Sequence, residues 1–337
     1  MAIGVTDEVS DARAKTARAW ALQILGLPAA RFSPASADAS FRRYFRVATA
    51  DASWVVMDAP PEHEDCRPFL KVGDLLRSAG LHAPQVYAED LGAGFLLLED
   101  LGPHTMLDVL DADNADRLYA AAMDALVQWQ KASRPGVLPD YDEALLRREL
   151  GLFPQWFLGV HLGVTLDAAE QAAWTGLCDA LVANAATQPR VYVHRDYMPR
   201  NLVPGEPLLG ILDFQDAVFG PVAYDPICLF KDAFLSWPEP RVSGWLRSYR
   251  SRAQAAGVPV PAWPRFARDC DWIGLQRHLK VLGIFARLGH RDGKAKYAAD
   301  TPRFVRYVME VAPCYPELAP LVTLFERRVL PRYPSAA

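Results

Sequence analysis

The stretch His194-Arg195-Asp196-Tyr197-Met198-Pro199-Arg200-Asn201 decides how this chain is read. It has the form H-x-D-x-x-x-x-N, and Asp213 follows the Asn by twelve positions, at the end of Leu209-Gly210-Ile211-Leu212. Apolar residues lead into each carboxylate: Val191 and Val193 before the first, Leu209, Ile211 and Leu212 before the second. That is the texture of two short strands ending in turns, with Pro199 blocking an immediate helix. Asp196 and Asn201, five positions apart, can curl toward one cavity. In such a site Asp196 orients an attacking hydroxyl and receives its proton. Asn201 and Asp213 offer a neutral and a charged oxygen to magnesium, which prefers one or two carboxylates plus substrate phosphates. The pattern points to metal-assisted phosphoryl transfer, where positioning and charge neutralisation outweigh base strength. Two acidic turns that only cap helices would need no such pairing. His194 reads as a brace of the loop, since none of the seven histidines supplies metal-ligand spacing.

Upstream of this segment the texture is mixed. Residues 11–25 have helical spacing (Ala17, Trp20, Ala21, Ile24, Leu25) and end at Gly26 and Pro28. Residues 41–47 and 54–57 are short, aromatic and β-branched, and read as strands about a polar turn at Asp51. A helix over 69–78, closed by Gly80, and strands over 85–88 and 94–98 follow. Beyond Gly102-Pro103 the spacing predicts helices over 116–131, 141–160 with a break at Pro154, 167–185, 242–256, 263–287 and 302–311. In this half only 191–217 has strand character. The expectation is an α+β fold. A β-rich lobe spans residues 1–100 and a larger helical lobe spans 101–337, with a hinge at 99–103 and the chemistry between the lobes.

The bulk numbers agree with a globular protein. The chain has 337 residues, 51% hydrophobic and 23% charged, a composition that supports a large core. A net charge of -4 argues against a general nucleic-acid binder. The five cysteines are scattered, with no C-x-x-C pair, and read as buried free thiols in a reducing compartment. Asp7, Glu8 and Asp11 open the chain where a secretory signal would be basic and then apolar. The nearly apolar run 19–30 contains Gln23 and Pro28 and is shorter than the ~20 residues a bilayer requires. A cytoplasmic location without a membrane anchor is expected.

At these residues the chain resembles the aminoglycoside phosphotransferase family, the small-molecule relatives of protein kinases. That family follows H-x-D-x-x-x-x-N with a strand ending I-D-x-x-D, here Leu212-Asp213-Phe214-Gln215-Asp216. Gly220-Pro221-Val222-Ala223-Tyr224-Asp225-Pro226 fits its later glycine turn, and Leu97-Leu98-Glu99-Asp100-Leu101-Gly102 looks like its adenine-binding hinge. The resemblance runs from about residue 32 to about residue 311. It implies a bilobal, protein-kinase-like fold, ATP as donor, Mg2+, and contacts of Glu99 and Leu101 with the nucleotide. A closer similarity is to bacterial anomeric kinases of cell-wall sugar recycling, carried by Val56-Met57-Asp58-Ala59-Pro60-Pro61-Glu62, Leu229-Phe230-Lys231-Asp232-Ala233-Phe234 and Leu275-Gln276-Arg277-His278-Leu279-Lys280. It implies phosphorylation of the C1 hydroxyl of N-acetylmuramate and N-acetylglucosamine. An aminoglycoside, choline or homoserine kinase of the same fold is the alternative, and a nucleotide-binding pseudokinase a third reading.

The chain departs from the kinase pattern in its first half. Trp54-Val55-Val56-Met57-Asp58 has no Lys, the 69–78 helix has no Glu, and Ser36-Ala37-Asp38-Ala39-Ser40 stands where a Gly-rich loop is usual. Backbone N–H groups and the Ser40 hydroxyl can meet phosphate, and an Arg can replace the Lys. Strand alternation puts Arg42 and Arg46 on one face with Tyr44, and Arg43 on the other with Phe41 and Phe45. Arg43, close to the Ser40 turn, is the expected phosphate contact. On the acceptor side Arg200, Asp216, Arg277 and His278 are the candidates. An Arg fork suits the lactyl carboxylate of N-acetylmuramate. The competing reading makes Asp216 a loop brace and leaves the charges of the 263–287 helix solvated. Asp225 reads as an N-cap or loop brace.

Overall fold

The computed structural model describes residues 11–37 and 41–333. The chain forms two compact units. One contains the residues up to Leu118 together with Arg200–Asp216, the other Tyr119–Pro199 and the residues from Ala217 onward.

In the first unit α1 (Ala12–Leu25) is followed by β1 (Arg31–Ala37), β2 (Arg43–Ala48), β3 (Ser53–Asp58), α2 (Arg67–Ser78), β4 (Val86–Asp90) and β5 (Phe95–Glu99). The strands form an antiparallel sheet in the order β1-β2-β3-β5-β4. Arg43 faces Asp58, Phe45 faces Val56, and Val56 faces Leu97. Cross-strand partners share a face, so Arg43, Phe45, Val47, Val56 and Leu97 line one side of the sheet. There Phe45, Val47, Val56 and Leu97 pack with Ala14, Ala17, Ala21 and Leu22 of α1 into an apolar core. Asp11 caps α1 by accepting from the Ala14 N–H at 2.8 Å, and Gly26, with φ of 67°, closes it in the left-handed region that glycine tolerates. The strand β1 escaped the sequence reading because it carries Pro34. It is an edge strand with a register shift at Pro34, the setting in which a strand tolerates proline.

The remaining elements are α3 (Met106–Val109), α4 (Ala115–Lys131), α5 (Glu143–Leu150), α6 (Ala168–Thr187), β6 (Arg190–Val193), β7 (Leu202–Val203), β8 (Gly210–Ile211), β9 (Val218–Pro221), α7 (Tyr224–Phe230), α8 (Glu239–Ala255), α9 (Trp263–His290), α10 (Thr301–Val311) and α11 (Ala319–Leu324). The helix expected over 141–160 is divided. α5 ends at Leu150, and a π-helical stretch, Phe153–His161, follows with Pro154 in its first turn, where the missing N–H is tolerated. β6 pairs with β9 as an antiparallel ribbon.

α9 corrects one sequence expectation. The charges of its middle turns are not solvated: Arg277, His278 and Lys280 are buried, as are Asp269 and Gln276. Neighbours cover its middle turns, residues 272–283, on all sides, as at Gly283, where a Cβ would sit 2.4 Å from the carbonyl carbon of Leu152. Among the described residues no helix is long and apolar enough to cross a membrane. Four cysteines are buried and Cys314 is exposed.

Candidate active site

The strand β6 delivers His194 to a loop that its own unit braces from two sides. From α7, the fully buried Asp225 accepts two consecutive backbone N–H groups, His194 to Oδ2 at 2.7 Å and Arg195 to Oδ1 at 3.0 Å. It braces the loop and caps no helix. Burial raises its carboxyl to about 7, against the lowering effect of the two N–H donors. His194 is buried, accepts from the Asp196 N–H at 3.3 Å and packs edge-on against Tyr197. Arg195 holds φ at 76°, a conformation uncommon for a side chain with a Cβ and worth a functional reading when observed. The half-buried Asp196 follows it.

The second brace is Glu149 of α5, which the sequence reading missed. Its buried carboxylate takes Arg195 Nη2 at 2.5 Å, Lys280 Nζ at 2.9 Å and Gln276 Nε2 at 3.0 Å, and also accepts from the Tyr141 hydroxyl. Burial pushes this carboxyl up, but Lys280 and Arg195 push it down further, to about 2. Lys280 also donates to the Tyr224 hydroxyl at 3.1 Å. Glu149 thus ties the loop to α9 through a compensated cluster, as a buried charge requires. No local motif marks it, because its partners lie in segments far apart in the chain.

Arg277 lies beside this cluster, 2% exposed, with Nη1 donating to the Lys231 carbonyl at 3.4 Å. Burial works against its charge, while Cys228, Tyr224, Asp196 and Asp232 hold the proton on. Asp232 was also missed. It accepts from the Phe234 and Leu235 N–H groups through Oδ1, and its buried Oδ2 has no partner among the described residues. His278, expected at the acceptor, is a core residue. It is 1% exposed and packed on Phe304 and Tyr307, and burial drives its pKa well below the usual value.

In the other unit the β7–β8 hairpin sets Asn201 against Asp213. The Leu212 N–H donates to the Asn201 carbonyl at 2.9 Å, and the side chains meet at 3.4 Å between Nδ2 and Oδ2. Asp213 has φ of 59° and, with Arg195, is one of two left-handed residues other than glycine among the described residues. Gln215 Nε2 donates to Asp213 Oδ1 at 2.8 Å, and the buried Gln215 Oε1 has no partner among the described residues. An oxygen-only set with one carboxylate, one amide and an orphaned amide oxygen fits magnesium that keeps waters and phosphate ligands. No cluster of three His, Cys, Asp or Glu suited to a metal occurs among the described residues. The hairpin is seated by its own unit: Ile211 N donates to the His82 carbonyl at 2.8 Å, and a Cβ on Gly210 would meet Leu101 Cδ1 at 2.7 Å. Leu101 therefore lies against the hairpin between Asn201 and Asp213. Glu99 accepts from the Gln85 N–H at 3.1 Å and contacts His82 Nε2 at 3.0 Å.

The remaining candidates are scattered. Arg200 is partly exposed and Asp216 exposed. Ser40 lies outside the described residues. Arg43 is on the sheet face covered by α1, where it bonds Asp58 through Nε at 3.0 Å and also pairs with Asp11.

Residues 31–268 match the phosphotransferase enzyme family, APH. The chain is 58% identical over 296 residues to the N-acetylmuramate/N-acetylglucosamine kinase of Pseudomonas aeruginosa, covering 88% of each chain. The kinase of the same name from Neisseria meningitidis is 46% identical, with 86% of this chain and 88% of that one covered. The ADP-bound aminoglycoside phosphotransferase APH(2'')-Ib shares the fold at a TM-score of 0.59 and 13% identity, covering 87% of this chain and 97% of that one. An ethanolamine kinase of Plasmodium vivax does so at 0.62 and 11%, covering 94% and 92%. The fold is thus the α+β, APH-like kinase fold that the sequence led us to expect, and the chain belongs to the APH phosphotransferase enzyme family.

Proposed function

We propose that the protein transfers the γ-phosphoryl group of ATP to the anomeric hydroxyl of N-acetylmuramate and N-acetylglucosamine, in cytoplasmic reuse of cell-wall sugars. The observation that carries the substrate is the 58% identity to a kinase of that name over most of both chains. The base, the amide and the carboxylate that the chemistry needs are all present in Asp196, Asn201 and Asp213.

In this reading Asp196 accepts a hydrogen bond from the sugar O1–H and aims the oxygen at the γ-phosphorus. The new O–P bond forms as the bond to the departing ADP oxygen breaks, and Asp196 takes the proton. An anomeric hydroxyl is more acidic than an ordinary alcohol, so a carboxylate suffices. Asn201 and Asp213 hold magnesium, which when bound neutralises charge on the phosphates. The backbone of Glu99 to Leu101 meets the adenine. Arg277 and Asp232, a buried cation and a carboxylate with an unpartnered oxygen, suit the carboxylate, N-acetyl or hydroxyl groups of the sugar. Arg200 and Asp216 flank the loop ends on the acceptor side.

A coupled kinase assay over N-acetylmuramate, N-acetylglucosamine, an aminoglycoside, choline and homoserine tests the proposal. Turnover with the two amino sugars at a kcat/KM well above the others is expected. Preference for any of the cationic alcohols would overturn the substrate, and no turnover with any acceptor would favour a pseudokinase.

A further inference from the structure

The sheet of the first unit has two faces, and they divide its arginines. The face under α1 holds Arg43, committed to buried Asp58 and to Asp11 at the helix cap. The opposite face, by register, holds Tyr44 against Met57, Arg46 against Val55, and Leu96 and Leu98 beyond them. Arg46 marks one end of this face. It donates to Asp100 at 2.6 and 2.9 Å and to the Gly102 carbonyl at 3.2 Å, in the segment expected to meet adenine. Arg42, the residue just before β2, marks the other end by strand alternation. It forms an ion pair with Glu64 at 2.8 Å, with side-chain exposures of only 12% and 13%.

Glu64 is itself fixed, in a turn where its N–H donates to the Pro60 carbonyl at 2.9 Å. The residue before it, His63, stacks on Phe41 at 4.4 Å. Two adjacent residues on each side thus hold one another, which orients the Arg42 guanidinium. Arg46 is four residue steps along the extended chain from Arg42, about 13 Å at ~3.3 Å per residue. That is a span fit for an extended nucleoside triphosphate with its base at the Arg46 end.

We propose that Arg42, oriented by Glu64, grips the nucleotide phosphates in place of the lysine that β3 lacks, where Met57 stands beside Tyr44. The assignment rests on the reading of the chain as a nucleotide-dependent kinase. A guanidinium has five donors in a planar fork, enough to hold a carboxylate and a phosphate at once. Glu64 acts through Arg42 and is a positioning residue. Arg43 fastens α1 to the sheet.

The test compares Arg42→Met, Arg42→Lys, Glu64→Gln and Arg43→Met. Titration calorimetry with a non-hydrolysable ATP analogue and with adenosine is run beside steady-state kinetics. Loss of a charge-assisted contact predicts that Arg42→Met binds the analogue about tenfold to a hundredfold more weakly, binds adenosine as before, and loses kcat/KM for ATP by at least as much. Arg42→Lys recovers part of the loss, and Glu64→Gln falls between wild type and Arg42→Met. Arg43→Met lowers the melting temperature without the triphosphate-specific loss. The assignment is overturned if Arg42→Met weakens adenosine and the analogue equally, or if the triphosphate-specific loss appears in Arg43→Met instead. Wild-type protein that binds neither nucleotide would reject the kinase reading itself.

Discussion

Replacing Glu149 by Gln removes one negative charge from a buried cluster that contains the cations of Arg195 and Lys280. The shape survives and the Gln276 and Tyr141 contacts can re-form, but two buried cations lose their counter-charge. Breaking a buried pair in this way costs about 3–5 kcal/mol, and the isosteric change belongs at the lower end. The proton linkage gives a second route to the size. Glu149 drops from its ordinary 4.5 to about 2, which is worth about 3 kcal/mol at ~1.36 kcal/mol per unit. Because the folded value is depressed, this stability is present above pH 4.5 and lost as the pH falls toward 2. Urea unfolding of wild type and Glu149→Gln from pH 7 to pH 3 reads both numbers. The gap should be about 3 kcal/mol at pH 7, or roughly 6–12 °C in Tm for a unit of about 200 residues. About 2 kcal/mol of it should be gone by pH 3. A gap under 1 kcal/mol at pH 7, or one that does not narrow with acid, would refute the view of Glu149 as an ionised hub. At a temperature where the variant stays folded, kcat should fall more than KM for ATP changes, since the hub fixes Arg195 next to Asp196.

Other substitutions probe separate links. Asp213→Asn removes the charge of the proposed metal ligand, so the magnesium concentration for half-maximal rate should rise about tenfold or more with a lower kcat; an unchanged magnesium titration would contradict the ligand set. Asp225 is the reverse electrostatic case of Glu149. Its folded value is raised to about 7 from 3.8, so the stability tied to its proton is present below pH 3.8 and lost as pH rises through about 7. Asp225→Asn should therefore flatten the stability profile between about pH 4 and 7, and a slope identical to wild type would remove that account. Gly283→Ala forces a Cβ to 2.4 Å from Leu152, and overpacking of this kind costs about 1–3 kcal/mol; calorimetry showing no fall in Tm would mean that α9 has room to move.

The motif residues could be picked out along the chain because the phosphoryl transfer proposed for them demands a local arrangement. Asp196 and Asn201 five positions apart, then Asp213 after a hairpin, can be seen along the chain. The helix α1 and strands β2 and β3 were legible for a similar reason, since their periodicities of 3.6 and 2 are local. What escaped depends on contacts across the chain. Glu149 looks like any helix carboxylate until Arg195, Gln276 and Lys280 are brought to it. The charges of α9 read as solvated because a helix usually exposes one face, whereas its middle turns are buried on every side. Alternation split the arginines of 42–46 between two faces, but the face that α1 covers needed the packed structure. Arg43 is the sequence choice for the phosphate contact, and the fold makes Arg42 the better placed of the two.

The central claim is that the acceptor is the anomeric oxygen of an acetylated amino sugar. Phosphorus NMR of the product made from ATP and N-acetylmuramate addresses it most directly. The account predicts one phosphomonoester signal, coupled to the anomeric proton of the sugar, with loss of the reducing end. It also predicts that Asp196→Asn gives no such signal while still binding the ATP analogue. A phosphate coupled to the proton of any other carbon, or an Asp196→Asn enzyme that still forms product at the wild-type rate, would contradict it.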